Sequence, residues 1–538
     1  MSQYSILLIL IPWMAALPAL LGKVLGRRFP FAGLSIVVFS ASSIPLYRLT
    51  RLLSVRGTEE LLYSLGGWAT PLGISLGVDR LALTISGIVV VIVLAVSVFS
   101  LGRKHFESLY FAEIMILAGG LQGVLLVRDL FTLFVCFEIA ALSIYLLIAY
   151  EREATALVAS FKYLILSSVG ILMFLLGVFV IYRETGTLSM VEPLVVAPEA
   201  DDALHLAVSA LVVGIGVRTA FIPFHTWLPE AHAYAPHPIS ALLSGVVIKV
   251  SFFAMVRVLD TFVAEYLYEP LLWIGGITAI AAVFRALAQR DVKKLLAYHS
   301  ISQMGYVLAA FGAASVIGRE AAIHHAVNHA FFKSLLFLTV GYAVSVTGLR
   351  DVYKMPKLGR REPLMALGFW LGAFAIAGVP PMNGFFSKAD VSAAVSGSPV
   401  YPLIWVTGVV TAASFIKLGR IYSFFGRPGD QLPAPAPPGE VTARWAERAA
   451  SRLAEVIPVL ILGAFCLAGG LLLPLPSAAK LVSTGVTLAL GIVLFLLISR
   501  HRVALLLSPL RQWNPSLYTV LSFFFFGLFL FATLGYLR

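Results

Sequence analysis

The chain has 538 residues, of which 59% are hydrophobic and 12% are charged, and its mean hydropathy is +0.93. Soluble domains carry about 25% charged residues, so this chain has too few polar side chains to cover a water-exposed globule. The composition excludes a soluble fold and indicates an all-α polytopic membrane protein. In such a protein the net charge of +12 is explained by basic cytoplasmic loops, so we expect no nucleic-acid partner.

Apolar runs predict about sixteen membrane-spanning helices, because a helix needs roughly 20 apolar residues to cross the hydrocarbon. The first run, Tyr4–Leu21, has neither a basic segment before it nor a small-residue cleavage site, so we expect a retained helix and not a signal peptide. The predicted helices are centred near residues 13, 39, 91, 118, 140, 171, 214, 250, 278, 306, 334, 374, 410, 466, 490 and 527.

The loops between these helices alternate in charge: odd-numbered loops collect Lys and Arg, whereas several even-numbered loops are acidic. Because cytoplasmic loops carry the basic excess, the alternation predicts that both chain termini lie outside. The second loop is basic yet assigned outside, and its Gly- and Pro-rich part Tyr63–Val78 predicts a small external β-hairpin. The Pro-rich stretch Gly426–Glu440 predicts a linker before three C-terminal helices.

Three ionisable side chains lie deep in predicted helices, where a buried charge is costly and therefore marks a functional candidate. Glu138 is too short to reach the headgroups, and Lys249 lies about ten residues into its helix. Arg218 comes just before Pro223, which removes a helical hydrogen bond and predicts a broken helix that lines a cavity. At that break Arg218 is placed to face Glu138. Each of the three has a structural alternative, which for Arg218 is a fixed counter-charge.

His325, His329 and Lys333 form a polar stripe, because spacings of four residues place them on one helical face about 6 Å apart. Two histidines at this spacing could bind a metal, but no Glu lies between them and no third ligand is evident. A proton wire fits better, since His titrates near neutrality. We therefore expect no metal here, and we expect His324, on another face, simply to pack.

Lys388 follows a second predicted helix break, formed by Pro380, Pro381 and Gly384. The likeness of this break to the one at Pro223 predicts two related halves, each with one interrupted helix. The lysine would then lie just beyond the break of the second half.

Two weaker candidates lie near these residues. His299 and Gln303, four residues apart at the start of another helix, either hold water between the halves or pack without function. Lys417, near a cytoplasmic helix end, is expected to extend to the headgroups.

The sequence predicts no cofactor. Cys136 and Cys466 are the two cysteines, and both lie in apolar runs without a C-x-x-C pair. The phosphate-binding motif G-x-x-x-x-G-K-[ST] is absent, and no G-x-G-x-x-G follows a strand. The chain therefore has no redox centre of its own, and we expect its energy to come from partner subunits or an ion gradient.

Five segments carry a family resemblance: DLFTLFVCFEIAALSIYLL, RTAFIPFHTWLPEAHAYAPHPISALLSGVVIK, RDVKKLLAYHSISQMGY, HAVNHAFFKSLLFL and GVPPMNGFFSK. Over roughly residues 60–430 the chain resembles the antiporter-like subunits shared by respiratory complex I, membrane-bound hydrogenases and Mrp-type cation/proton antiporters. It looks closest to Mrp D-type and hydrogenase-type members. The resemblance implies about 14–16 transmembrane helices that include two inverted five-helix repeats, each with a broken helix.

The resemblance also implies roles for the buried charges. Glu138 would be the acidic partner of the cation in the first broken helix, and Lys249 would be the central relay lysine. Lys388 would be the terminal lysine, with Pro223 and Pro381 supporting the two breaks. The residues implied to join the halves are His325, His329 and Lys333.

Arg218 departs from the family, which normally has Lys five residues before the proline. A lysine can lose and regain its proton, whereas an arginine in practice cannot. Arg218 can therefore change the electric field at Lys249 by moving relative to Glu138, but it cannot carry the proton itself.

Five regions are predicted: N-terminal helices with an external hairpin loop (1–105), a first antiporter-like repeat (106–265), a second repeat (266–425), a Pro-rich loop (426–456) and C-terminal helices (457–538). The predicted function is an ion-translocating subunit of a multisubunit respiratory, hydrogenase or Mrp-type complex in the inner cell membrane. It would move protons, alone or in exchange for sodium, along a hydrated charged axis, with other membrane subunits and lipid as partners. The alternatives are a subunit of a bicarbonate or CO2 uptake assembly and a stand-alone carrier for a small solute.

Overall fold

The structure is a computed structural model, and it describes residues 3–24, 31–68, 70, 73–103, 105–191, 202–425, 443–474, 477–499, 508–512 and 522. Most of these residues are helical. The Pro-rich linker Gly426–Glu440 and the predicted span near residue 527 lie outside the described residues.

The helices follow the predicted apolar runs in chain order, because in hydrocarbon a segment must pair its own backbone polar groups. Those of the N-terminal region and first half are α1 (Tyr4–Val24), α2 (Phe31–Ala41), α3 (Ser43–Arg56), α4 (Arg80–Ser100), α5 (Ser108–Leu126), α6 (Leu130–Ile148), α7 (Ala154–Thr185), α8 (Asp202–Thr219), α9 (Leu228–Tyr234), α10 (His237–Leu242) and α11 (Ile248–Phe262). Those of the second half and C-terminal region are α12 (Tyr268–Ala288), α13 (Val292–Gly312), α14 (Val316–Thr347), α15 (Pro363–Ala377), α16 (Asn383–Ala394), α17 (Tyr401–Leu418), α18 (Ala443–Leu471), α19 (Ala478–Ile498) and α20 (Ser508–Gln512).

Thirteen helical segments of the described chain are long and apolar enough to cross a membrane. α13 adds a buried helix of 21 residues in which polar side chains interrupt the apolar ones. α15 and α16 are the two shorter parts of one interrupted helix. The prediction of an all-α polytopic membrane protein is confirmed.

Both predicted helix breaks are present. Residues 220–227, which include Pro223, separate α8 from α9, and residues 378–382, which include Pro381, separate α15 from α16. Each break contains a cis X–Pro peptide bond. Because proline has no N–H to donate, each break leaves backbone carbonyls outside the regular helical ladder.

A third irregularity, which the sequence analysis did not predict, lies between α10 and α11. Leu243–Val247 form a π-helical turn just before Lys249, and such turns are frequent at functional sites. A Cβ at Gly245 would overlap the Ser334 hydroxyl of α14. Glycine therefore allows this turn to approach α14 closely.

The loop between α3 and α4 contains a strand pair, at the place where a hairpin was expected. β1 (Glu60–Ser64) pairs in antiparallel register with β2 (Ser75–Asp79). Arg128, in the turn between α5 and α6, is almost fully buried, and its Nε donates to Glu60 Oε1 at 2.7 Å. This ion pair fastens the hairpin to the turn between α5 and α6. That the hairpin lies on the outer side of the membrane stays a prediction.

α18 begins earlier than the predicted region boundary. The sequence analysis assigned 426–456 to a Pro-rich loop, but the chain is helical from Ala443, so residues 443–456 belong to a helix. Ala, Arg and Glu dominate this stretch and are strong helix formers. Arg103, just after α4, pairs with Glu455 near the middle of α18 at 3.1 Å, and this ion pair ties α18 to the end of α4.

Candidate functional site

Glu138 and Arg218 form the predicted pair. Asp129 caps α6 by accepting from the Thr132 N–H (2.7 Å), and two turns later the helix presents Glu138 towards α8. Arg218 Nη2 donates to Glu138 Oε1 at 2.7 Å, and its Nη1 donates to the Phe137 carbonyl at 3.2 Å. The arginine side chain is 5% exposed and the glutamate 35% exposed. The cation is thus enclosed, whereas its partner reaches the surface of the described chain.

Lys249 lies two residues beyond the π turn and is almost fully buried. Its Nζ donates to the carbonyl of Ser244, which lies inside that turn. The Ser244 hydroxyl is 2.6 Å from the Ser300 hydroxyl of α13. In the described part of the chain no carboxylate pairs with Lys249, so a displaced backbone carbonyl holds this ammonium.

The next candidate residues are those of the polar stripe on α14. Lys333 Nζ donates to the Leu296 carbonyl of α13. The rings of His325 and His329 lie 6.2 Å apart and nearly parallel, as expected for one helical face. His329 is fully buried within electrostatic range of Lys249 and Lys333, and neither ring nitrogen has a hydrogen-bond partner among the described residues.

His325 joins three helices. Its Nε2 lies 3.1 Å from Gln303 Oε1 of α13, and its Nδ1 lies 3.0 Å from the Ser387 hydroxyl of α16. His299, which the sequence analysis grouped with Gln303, instead contacts the Ser414 hydroxyl of α17 at 2.7 Å. The two side chains therefore have different partners, and only Gln303 touches the α14 stripe.

Lys388, adjacent to Ser387, ends this series. Its Nζ is buried and has no hydrogen-bond partner in the described part of the chain. The ammonium lies 5.2 Å from the centre of the Tyr306 ring, a cation–π contact. Unlike Arg218, this cation is not held by a carboxylate of any described residue.

Lys417 was expected to extend to the headgroups, and this prediction is wrong. The residue is 2% exposed, and its Nζ donates to the carbonyls of Leu287 and Gln289, each at 2.6 Å. The last carbonyls of a helix have no partner within it, and the end of α12 is buried where Lys417 reaches it. Lys417 is therefore a cap for α12.

His324 does more than pack. Its Nδ1 lies 2.8 Å from Asp390 Oδ2, and both side chains are partly exposed. Asp390 is two residues beyond Lys388 on α16, so this contact ties α14 to α16 near the terminal lysine.

Sequence reasoning also passed over two buried histidines, His225 and His232. His225 lies within the first break and His232 lies on α9 just beyond it, and neither has a hydrogen-bond partner for its ring nitrogens among the described residues. Their position next to the predicted helix break was a usable signal, because a break that lines a cavity is expected to have polar side chains near it.

The site is therefore a row of side chains spread over five helices. It starts at Glu138 and Arg218 and continues through Lys249 and the α14 stripe to Lys388. Its members are one ion pair, three amines and two imidazoles, and the amines and imidazoles can donate and accept protons in turn. Such a row can pass a proton between neighbours without any one group crossing the membrane.

A helical bundle with two broken helices and a buried row of Glu, Arg, Lys and His has the architecture of antiporter-like membrane subunits. Residues 127–415 match the family described as the transmembrane part of NADH:quinone oxidoreductase and Mrp antiporters. The chain belongs to this family and is a multi-pass membrane protein.

Individual relatives agree with this placement. The NADH-quinone oxidoreductase N subunit of Desulforudis audaxviator is 33% identical over 86% of this chain and 94% of its own length. The D-type member of the Na(+)/H(+) antiporter of Alkalihalophilus pseudofirmus is 32% identical over 67% of this chain and 76% of its own length.

Two solved structures share the fold. A chain of the membrane-bound sulfane sulfur reductase, an archaeal respiratory membrane complex, superposes with a TM-score of 0.74 at 27% identity and covers 91% of this chain and 100% of its own. A chain of the Mrp complex from a Dietzia species superposes with a TM-score of 0.76 over 94% of this chain and 99% of its own, and at 23% identity it supports the fold alone.

Proposed function

We propose that this chain is an ion-translocating subunit of a multisubunit membrane complex and that it moves protons along the row from Glu138 to Lys388. The observation that carries the proposal is the succession of buried ionisable groups on α6, α8, α11, α14 and α16. A stand-alone carrier would instead need a compact pocket for its solute.

In this proposal Lys249, the two histidines of the stripe, Lys333 and Lys388 exchange the proton. Arg218 keeps its charge and acts on Lys249 through its attraction to Glu138. Displacement of Arg218 from the glutamate would change the field along the row and bias the next transfer. The proton moves alone or in exchange for sodium, as the names of the antiporter relatives suggest.

The partners proposed are other membrane subunits of the same complex. Both structural neighbours belong to multisubunit assemblies, and a relative is a subunit of an oxidoreductase. The proposed location is the inner cell membrane, with both chain termini outside, on the basis of the loop charges. The bicarbonate uptake assembly and the stand-alone carrier gain no support from these comparisons.

Lys249→Met in the assembled complex tests the proposal. Methionine keeps the apolar stem and removes the exchangeable proton, so transport should fall roughly 100-fold or more, the range expected for loss of a proton-transferring group. Transport is measured with a pH-sensitive dye in vesicles, and assembly by co-purification of the partner subunits.

Lys354→Met is the matched control, because Lys354 is exposed in the loop before α15. We expect it to transport at the wild-type rate. Wild-type transport by Lys249→Met would contradict the proposal, and loss of assembly in proportion to the loss of transport would show that Lys249 has a structural role only.

A further inference from the structure

Two exposed arginines, Arg290 and Arg420, contact the ring of Tyr353 at one end of the bundle. The guanidinium carbon of Arg290 lies 5.7 Å from the centre of this ring, and that of Arg420 lies 5.4 Å from it. Both are cation–π contacts. Among the described residues neither guanidinium pairs with a carboxylate or donates a hydrogen bond. Two cations are thus held at one ring without a counter-charge from the described chain.

The loop that carries Tyr353 is fixed by backbone hydrogen bonds to the ends of two helices. The Val352 N–H donates to the Arg290 carbonyl, just after α12, at 2.9 Å. Further along the loop the Leu358 N–H donates to the Ile421 carbonyl, just after α17, at 2.7 Å. The backbone therefore brings the two arginines to the ring before any ligand is present, which lowers the cost of binding one.

The charge around this ring is mostly positive. Lys417, the buried cap of α12, lies within electrostatic range of Arg290. Two described carboxylates lie nearby: Asp291 is paired with Arg350 at 2.9 Å, and Asp351 accepts at 2.9 Å from the backbone N–H of the residue that carries the ring. Because like charges held close together repel each other, an anion at this place would be attracted by the remaining cations.

Both arginines lie just past the end of a helix that is long and apolar enough to cross a membrane. α12 ends at Ala288 and α17 ends at Leu418, so each arginine follows its helix by two residues. Residues at such helix ends lie at the depth of the phospholipid headgroups. On the loop-charge prediction this face is the cytoplasmic one, where basic pockets between membrane helices bind anionic headgroups.

An apolar seam leads from the arginines towards the middle of the membrane. A small cluster of buried side chains, separate from the main core, joins α12 to α17 and consists of Val283, Leu287, Val410 and Ala413. Phe284 of α12 and Phe495 and Ile498 of α19 pack against this cluster and stay partly exposed. The seam therefore presents apolar side chains of three helices below the two cations, and an acyl chain would bury them further.

We propose that Arg290 and Arg420 bind the phosphate group of an anionic phospholipid whose acyl chain lies along the seam between α12, α17 and α19. Each guanidinium has a planar fork of N–H donors that matches two phosphate oxygens. The phosphate supplies the counter-charge that the described chain lacks at Tyr353, and the lipid links the ends of α12 and α17. This site lies outside the row from Glu138 to Lys388 and does not depend on the proposed proton transport.

Native mass spectrometry of the assembled complex tests this site. The complex is purified in detergent and titrated with phosphatidylglycerol or with phosphatidylcholine of the same acyl chains. Arg290→Gln combined with Arg420→Gln should weaken the binding of phosphatidylglycerol roughly tenfold, because the charge-assisted hydrogen bonds to the phosphate are lost. Phosphatidylcholine should bind weakly to both proteins, since its choline cation is repelled by the arginines. Equal affinity of the wild type for the two lipids would overturn the proposal.

Arg360→Gln combined with Arg361→Gln is the matched control. It removes the same amount of charge from two exposed arginines further along the same loop. This variant should bind phosphatidylglycerol as the wild type does. Equal weakening in the two double variants would show that the net charge of the surface attracts the lipid, and would overturn the assignment to Arg290 and Arg420.

Tyr353→Leu tests the geometry without any change of charge. Loss of the ring removes the contact that holds the two guanidiniums together, so the affinity for phosphatidylglycerol should fall several-fold. Co-purification of the partner subunits shows that the variant still folds and assembles. Wild-type affinity in an assembled Tyr353→Leu variant would overturn the proposal that the ring forms part of the site.

Two other outcomes would assign the arginines to a different occupant. Displacement of phosphatidylglycerol by an equal concentration of inorganic phosphate would show a site for the free anion. Loss of a partner subunit from the variant that carries Arg290→Gln and Arg420→Gln, with unchanged lipid binding, would show that an acidic protein surface docks there. Either result would overturn the lipid site.

Discussion

The two halves of the molecule hold their broken-helix cations in opposite ways. Arg218 lies before the first break, enclosed and paired with Glu138 at 2.7 Å. Lys388 lies beyond the second break, has no hydrogen-bond partner among the described residues and faces a cavity. Arginine keeps its charge, whereas lysine can exchange a proton. The broken-helix cation of the first half is thus suited to hold a charge, and that of the second half is suited to pass a proton.

This difference teaches that the two breaks share backbone form but not chemistry. Both contain a proline and interrupt a helix with a short irregular segment. In our proposal, the side chain near each break then determines whether the site acts by its electric field or by proton transfer. A likeness between repeats therefore predicts where a functional cation lies and does not predict what it does.

Lys388→Arg gives the largest effect expected from this comparison. The variant keeps a positive charge beside Tyr306 and the adjacent cavity accommodates the longer side chain. An arginine cannot release its proton in practice, so transport should fall roughly 100-fold or more while the complex still assembles. The measurement is vesicle transport, with Lys354→Arg in an exposed loop as control. Normal transport by Lys388→Arg would show that both halves work through fixed charge.

Glu138→Gln should have the next largest effect. The amide removes the negative charge that holds Arg218 but keeps the size and a hydrogen-bond acceptor. We expect transport to fall at least roughly tenfold, with assembly retained, because Arg218 would lose the negative charge that holds it and that our proposal requires. Glu153→Gln is the control, since Glu153 is exposed and its side chain does not cap α7. Equal transport rates for Glu138→Gln and Glu153→Gln would show that Glu138 is not part of the site.

The sequence was sufficient for features that local chemistry determines. Pro223 and Pro381 predict the two breaks because proline cannot continue a helical ladder. Spacings of four predict the shared face of His325 and His329, and the rings lie in that arrangement. The position of Arg218 before its break also predicts the contact with Glu138, although these residues are far apart in sequence.

Features that depend on how helices pack were missed. Lys417 caps α12 because the bundle brings that helix end beside α17, a placement that no local pattern encodes. His324 meets Asp390 for the same reason. The π turn before Lys249 depends on the close approach of Gly245 to α14, and a glycine in an apolar run does not by itself predict such a turn.

Arg218→Lys should have the smallest effect and tests the comparison most closely. Lysine preserves a positive charge near Glu138, so at neutral pH we expect most of the transport to remain. Its single ammonium cannot reproduce the two contacts that the guanidinium makes with Glu138 and the Phe137 carbonyl, so the rate should not be fully that of the wild type. Arg361→Lys, in an exposed loop, is the matched control and should not differ from the wild type.

The pH dependence of these variants separates fixed charge from proton transfer in the first half. A lysine at position 218 can release its proton, so transport by Arg218→Lys should decline at a lower alkaline pH than transport by the wild type, whose arginine stays charged. Arg218→Met should fail at every pH, because it leaves Glu138 without its counter-charge. The measurement is vesicle transport against pH for the three proteins. Full activity of Arg218→Met would show that the pair with Glu138 has no part in transport, and would reduce the first half to a scaffold for Lys249.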